Sequence, residues 1–114
     1  MQVEIAGHTL DFFDCFEICQ GGPEACRLSI DGYPIVGRKF DPSPLLFEDA
    51  ILLPMQKVSF FKSGYVLVQI DLETRAIKTL SKTHSYMKLY AIHERSVEFA
   101  TTAWGEDTAL CIIP

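Results

Sequence analysis

Apolar and polar residues alternate with a period of two along much of this chain, the pattern of β-strands that turn one face inward. In Tyr65-Val66-Leu67-Val68-Gln69-Ile70-Asp71-Leu72, one face carries Val66, Val68, Ile70 and Leu72. The other carries Tyr65, Leu67, Gln69 and Asp71, so a half-buried strand is expected, and its β-branched residues suit a pleated surface. Glu73-Thr74-Arg75 is turn-like and leads into Ala76-Ile77-Lys78-Thr79-Leu80. Ile77 and Leu80 differ in parity there, which predicts a bulge or an edge. Tyr86 to Ile92 reads as a strand with Met87, Leu89 and Ala91 on one side and Tyr86, Tyr90 and Ile92 on the other. Glu94-Arg95-Ser96 turns the chain into Val97–Thr101, and Gly105-Glu106-Asp107 turns it into Ala109–Ile113.

Upstream, Arg27-Leu28-Ser29-Ile30 and Tyr33-Pro34-Ile35-Val36 flank Asp31-Gly32. A type I′ turn needs positive φ at both central residues, and Asp-Gly meets that need, so a hairpin is predicted. Pro34 has no N–H to donate, which places its strand at an edge. Asp41-Pro42-Ser43-Pro44 is a breaker cluster. Ser43 as a cap and Pro44 at the first helical position predict one short helical turn over 44–49. Ile51-Leu52-Leu53 reads as a buried strand. Val3 and Ile5 alternate with Gln2 and Glu4, giving a short first strand, while Leu10 to Ile18 fits either a strand or a helical face. The whole predicts an all-β fold over one domain, 1–114. It is an antiparallel meander of roughly eight to ten short strands, curled or split into two packed sheets.

Composition narrows the function. With 114 residues and 48% hydrophobic content, one core is expected and intrinsic disorder is not. No run approaches the roughly 18 apolar residues of a membrane span. Met1-Gln2-Val3-Glu4-Ile5 lacks the basic region and apolar core of a secretory signal, so a cytoplasmic protein is expected. Cys15, Cys19, Cys26 and Cys111 match neither a zinc knuckle nor a redox C-x-x-C, and free thiols are expected in that compartment. His8, His84 and His93 follow no ligand spacing, and no calcium loop or phosphate-cradling glycine loop occurs. No cofactor, metal or enzymatic activity is expected. A Cys–His pair could be assembled from Cys15 or Cys19 with His84, but any chain of this composition allows that.

Charge is uneven. The half from Met1 to Lys57 holds nine acids against Arg27, Arg38, Lys39 and Lys57. The second half holds six of each sign, so the first half carries the whole formal charge of -5. A one-signed field steers partners of the opposite sign, and the sparse bases argue against nucleic acid and anionic membranes. Phe12, Phe13 and Phe16 lie among the leading acids. Asp11, Phe13, Asp14, Phe16, Glu17 and Glu24 are therefore the expected partner-binding residues, with carboxylates steering and a phenyl ring anchoring a basic protein.

The segment Lys62-Ser63-Gly64-Tyr65-Val66-Leu67-Val68-Gln69-Ile70-Asp71-Leu72-Glu73-Thr74-Arg75 resembles blade hairpins of β-propellers. It also resembles a hairpin of small β-rich immunity proteins from bacterial toxin–immunity pairs. A propeller needs at least four blades of about 40–45 residues, so this chain could only be a partial one. The second resemblance implies a short acidic protein without catalytic motifs that occludes a cognate toxin domain. The rival expectation is a small assembly subunit, a homo-oligomer joined through sheet edges.

Overall fold

The computed structural model describes residues 1–17, 24–57, 64–102 and 107–114. Cys19, Lys62, Ser63, Gly105, Glu106 and the Glu17 side chain, all used in the sequence reading, lie outside the described set. Eleven strands form three antiparallel sheets. The first sheet is β1 (Gln2–Ile5), β2 (His8–Glu17), β3 (Glu24–Ile30) and β4 (Tyr33–Pro34), in that order. The second is β5 (Leu45–Phe47), β6 (Ala50–Lys57), β7 (Gly64–Asp71) and β8 (Ile77–Thr79). The third is β9 (Lys88–His93), β10 (Ser96–Ala100) and β11 (Thr108–Ile112). The all-β antiparallel expectation holds, and the ambiguous segment 10–18 is strand through Glu17.

Two hydrophobic cores separate three layers, where two packed sheets were expected. Phe12, Leu28, Ile30, Phe40, Ile51, Leu53, Val66, Val68 and Ile70 fill the core between the first and second sheets. Leu52, Tyr65, Leu67, Leu89, Val97 and Phe99 fill the core between the second and third. β6 and β7 therefore bury both faces. Tyr65 and Leu67, assigned to an outer face by parity, are covered by the third sheet. Gly64 admits the segment that bridges Tyr65 at His84, because a Cβ there would collide with the His84 carbonyl.

The turns follow local chemistry. Asp31 and Gly32 both have positive φ, at 52° and 85°, as the I′ turn requires, and β4 with Pro34 is an edge strand. Ala6 and Gly7 repeat that geometry between β1 and β2. The helical turn expected over 44–49 does not form. Leu45–Phe47 is β5, paired in register with Ala50–Leu52, and Glu48 at φ 54° turns the hairpin. Leu45 and Phe47 pack onto the second core while Leu46 faces solvent, so burial at period two overrides the helix-start chemistry of Ser43-Pro44. In β9, Leu89 and Ile92 share the core side because the register with β10 shifts between Glu98 and Phe99, which breaks the simple parity of Met87, Leu89 and Ala91.

One segment ties the first two sheets together. Phe40 exchanges both backbone hydrogen bonds with Cys26, at 2.7 and 2.8 Å. On its other side it faces Met55, flanked by Gln56 N to Lys39 O at 2.8 Å and Asp41 N to Pro54 O at 3.0 Å. The chain after β4 thus leaves β3 and joins β6, a strand switching sheets at a corner. Gly37, with φ 77°, lies at the departure point. Beside the corner, β2 carries a bulge. Phe13 opposes Arg27 and Phe16 opposes Ala25, so Asp14 and Cys15 share one partner position, Cys26. Asp14 takes the positive φ, 51°, that the bulge needs.

Cys15 and Cys26 form a disulfide across this bulge. The expectation of four free thiols is thereby overturned: the extra residue in β2 turns Cys15 toward a cysteine eleven positions away. Cys111 is a free thiol on the inner side of β11, and burial pushes its pKa up.

Candidate functional site

Two surfaces concentrate charge, at opposite ends of the strands. The first is a rim of hairpin turns. His8 Nδ1 lies 2.6 Å from Asp31 Oδ2, joining the β1–β2 and β3–β4 turns. His8 Nε2 lies 3.6 Å from Glu73 Oε1, adding the β7–β8 turn. The Arg75 guanidinium stacks 4.2 Å from the centre of the Tyr33 ring. Leu72 N donates to Asp49 O at 3.1 Å, and Arg95 Nη1 donates to Glu48 Oε1 at 3.4 Å, bringing in the β5–β6 and β9–β10 turns. Five turns thus make one continuous edge. It carries Asp31, Glu48, Asp49, Asp71, Glu73 and Glu94 against Arg75, Arg95 and His8. Among the described residues, Asp49 and Glu94 have no ion pair.

The rim's titratable groups are tuned by their neighbours. The hydrogen bond to Asp31 raises the His8 pKa most, against partial loss of water, with smaller contributions from the charges of Asp31 and Glu73. The same bond, helped by Thr9 N donating to Oδ1 at 2.9 Å, holds Asp31 below the usual carboxylate range. Asp71 is lowered by the backbone N–H groups of Thr74 and Glu73, each at 2.8 Å, which also fix the turn.

The second surface is an open groove of about 830 Å³ at the corner end, lined by Asp14, Phe16, Arg27, Arg38, Lys39 and Gln56. Its origin is strand parity. Cys26, Phe40, Met55 and Val66 form a row in the first core, so their sequence neighbours Arg27, Lys39 and Gln56 point the other way. Arg38 reaches Met55 Sδ at 3.6 Å. Lys57 lines an adjoining hollow with Arg38 and Gln56. All four bases of the acidic half therefore gather at this end.

The six expected partner-binding residues do not make one acidic face. Asp11 lies on the outer side of the first sheet, 3.7 Å from the N-terminal amine. Asp14 faces Arg27 at 3.8 Å. Phe13 is half-buried with the Arg27 guanidinium 5.6 Å from its ring centre. Glu24 is half-buried, and its backbone N–H donates to Asp41 at 3.0 Å. Glu17 pairs with Glu24 through the backbone. Phe16 is the exposed ring of the group, 47% accessible, with Lys39 Nζ 4.4 Å from its centre. Phe12 is core. The groove joins Phe16 and Asp14 and leaves Asp11 and Phe13 on the sheet face. Sequence reading missed Arg27, Arg38, Lys39, Lys57 and Gln56 as a group. Their shared face depends on the pairing of Phe40 with both β3 and β6, which no local pattern encodes.

Cys15, Glu24 and Cys26 cluster at ligand distance, but the two sulfurs are bonded to each other and offer no thiolate. Comparison with known protein families, characterised proteins and solved structures finds no match to this chain.

Proposed function

We propose that the protein is a non-catalytic binding protein that captures a basic partner on the rim of hairpin turns, in the manner of an immunity protein occluding a toxin domain. The observation that carries this reading is the continuity of the rim: five turns cross-linked side by side, with six carboxylates against two arginines and one histidine. Fixed turns present charge with little ordering cost on binding, and a net-negative rim steers encounter. The hairpin that resembles immunity proteins, β7–β8, supplies Asp71 and Glu73 to it. Of the two candidate nucleophiles, Cys15 is consumed in a disulfide, which supports a non-catalytic role, and Cys19 lies outside the described residues. Both nitrogens of His8 face carboxylates. The disulfide favours an oxidising compartment over the cytoplasm that the N-terminus led us to expect. No helix among the described residues is long and apolar enough to cross a membrane.

A partner drawn from the native host by pull-down supplies the test. The variant Asp49→Lys/Glu73→Lys/Glu94→Lys should remain folded, because exposed charges contribute little to stability. Its association rate should fall about tenfold or more at low salt, and the difference should shrink as salt rises. Unchanged kinetics would remove the rim from the interface.

A second reading rests on β11. This edge strand carries no charge and exposes Leu110 and Ile112 at 66% and 74%. Such an edge suits pairing with a second copy. Self-association that persists in high salt, with no effect of the triple reversal, would favour that reading.

A further inference from the structure

We propose that the groove at the sheet corner is a second binding site, and that it takes a short acidic segment of a partner protein bearing one apolar side chain. The proposal does not rest on the rim and would stand without it. It starts from charges that the fold leaves uncompensated. Among the described residues, neither Arg38 nor Lys39 has a carboxylate partner. Arg27 is held by Asp14 only loosely, at 3.8 Å, with both side chains substantially exposed. Among the described residues, three cations thus surround one hollow, and the acid that lines it, Asp14, is already engaged.

Phe16 gives the site its apolar half. Its ring stands at the end of the bulge, out of both cores, and the groove is the hollow it borders. Lys39 lies over one face of the ring, so a carboxylate drawn to that ammonium sets the adjoining residue against the phenyl surface. Arg27 and Arg38 present planar forks that match a carboxylate bidentately. Gln56 adds a neutral donor and acceptor to the lining. The floor is braced on both sides. The disulfide holds Cys15 to Cys26, and the corner holds Cys26 to Phe40 to Met55, so Phe16, Arg27, Lys39 and Gln56 sit beside fixed neighbours. Such a floor needs little reordering to bind.

Charge complementarity selects the occupant. A nucleic acid is a long line of phosphates and needs a long line of bases. Here the cations cover one hollow that also holds Asp14. A lone inorganic anion would meet the cations but leave the Phe16 ring exposed. A volume of about 830 Å³ falls within the range of pockets that accept ligands far larger than phosphate. An acidic peptide with an apolar residue uses both halves of the site.

The test is an amide-resonance titration of the oxidised full chain with four probes. They are acetyl-Asp-Glu-Phe-Asp-Glu-amide, the same peptide with Lys and Arg for the acids, a ten-nucleotide single-stranded DNA, and inorganic phosphate. The acidic peptide should shift the amides of Phe16, Arg27, Arg38 and Lys39 saturably. Arg38→Glu/Lys39→Glu should weaken it by about tenfold or more, and Phe16→Ala by about fivefold or more, with melting temperature unchanged. Arg38→Gln/Lys39→Gln gives the same reading should the double reversal fold poorly. Absence of saturation at millimolar peptide would overturn the proposal. So would equal binding of the basic peptide, tighter binding of DNA or phosphate at these amides, or indifference to both groove variants.

Discussion

The rim and the groove carry opposite charge although half of the rim's carboxylates and all of the groove's cations are drawn from the same stretch of chain. Asp31, Glu48 and Asp49 stand at one end of the strands, while Arg27, Arg38, Lys39 and Lys57 stand at the other. β2, β3 and β6 each connect the two regions; β2 runs from His8 at the rim to Phe16 at the groove, about 25 Å at about 3.3 Å per residue. Salt at physiological strength screens exposed charges over about 8 Å, so neither end feels much of the other. Net charge therefore describes neither surface. In an antiparallel meander the hairpin turns of alternate connections meet at one end, and that geometry sorts the charges that a linear count adds together.

The two ends also differ in how they are held. Surface contacts between turns tie the rim, whereas a buried ring and a covalent bond tie the groove. Phe40→Ala probes this most strongly. Phe40 is fully buried and bridges β3 to β6. Truncating a buried Phe costs about 3–5 kcal/mol, a large part of the roughly 5–15 kcal/mol that holds a domain folded. The urea midpoint should drop accordingly. Hydrogen exchange should accelerate most at the Cys26 and Phe40 amides and least at the Asp31 amide, which donates to Thr9 O at the rim. Equal loss at both places would mean that the two ends open as one unit.

Removing the disulfide is the next largest change. Cys15→Ala/Cys26→Ala opens a link between residues eleven positions apart, worth about 3 kcal/mol in the loop-entropy account. Protection should fall around the bulge, and affinity for the acidic peptide should fall with it, while the rim's resonances stay in place. Thiol titration of unreduced protein in denaturant should find no more than two reactive cysteines. Four would show that the bond is absent, and the groove would lose one of its two braces.

Legibility in the sequence depends on the range of the forces involved. The Asp31-Gly32 turn, the edge position of Pro34 and the period-two strands are set by residues within a few positions of one another, and all were legible. The third sheet left a trace that parity counting passed over. Leu67 between Val66 and Val68, and Leu52 between Ile51 and Leu53, make both faces of β7 and β6 apolar, as a strand buried on both sides requires. Ser43-Pro44 signals the end of one element but does not encode the type of the next; here a strand changes sheets and resumes. The groove was illegible for a different reason. Arg27, Lys39 and Gln56 share a face only because Phe40 pairs with strands on either side of it, one before and one after it in sequence. Phe16 could be singled out from its neighbours, but its exposure depends on the bulge at Asp14.

The smallest expected effect separates the two surfaces by pH. His8 at the rim has a folded pKa raised above its ordinary value near 6.5, chiefly through Asp31, while the pKa of Asp31 is lowered, chiefly through His8. The His8 contribution to stability is complete below about pH 6.5 and fades as pH rises through the raised folded value. The Asp31 contribution is complete above about pH 4 and fades as pH falls through the lowered folded value. The cross-tie is therefore strongest between about pH 4 and 6.5, and solvent exposure keeps it modest. Asp31→Asn preserves the turn, since Asn tolerates positive φ, and removes the charge. The melting difference between wild type and Asp31→Asn should be larger at pH 5.5 than at pH 9, and the His8 ring should titrate closer to its ordinary value in the variant. Protonation of His8 also adds a positive charge to the rim, so a basic partner should associate more slowly at pH 5.5 than at pH 8. No histidine lines the groove among the described residues, and its affinity for the acidic peptide should stay flat from pH 6 to 8. A groove affinity that tracks the His8 titration would join the two surfaces into one electrostatic unit and end the comparison.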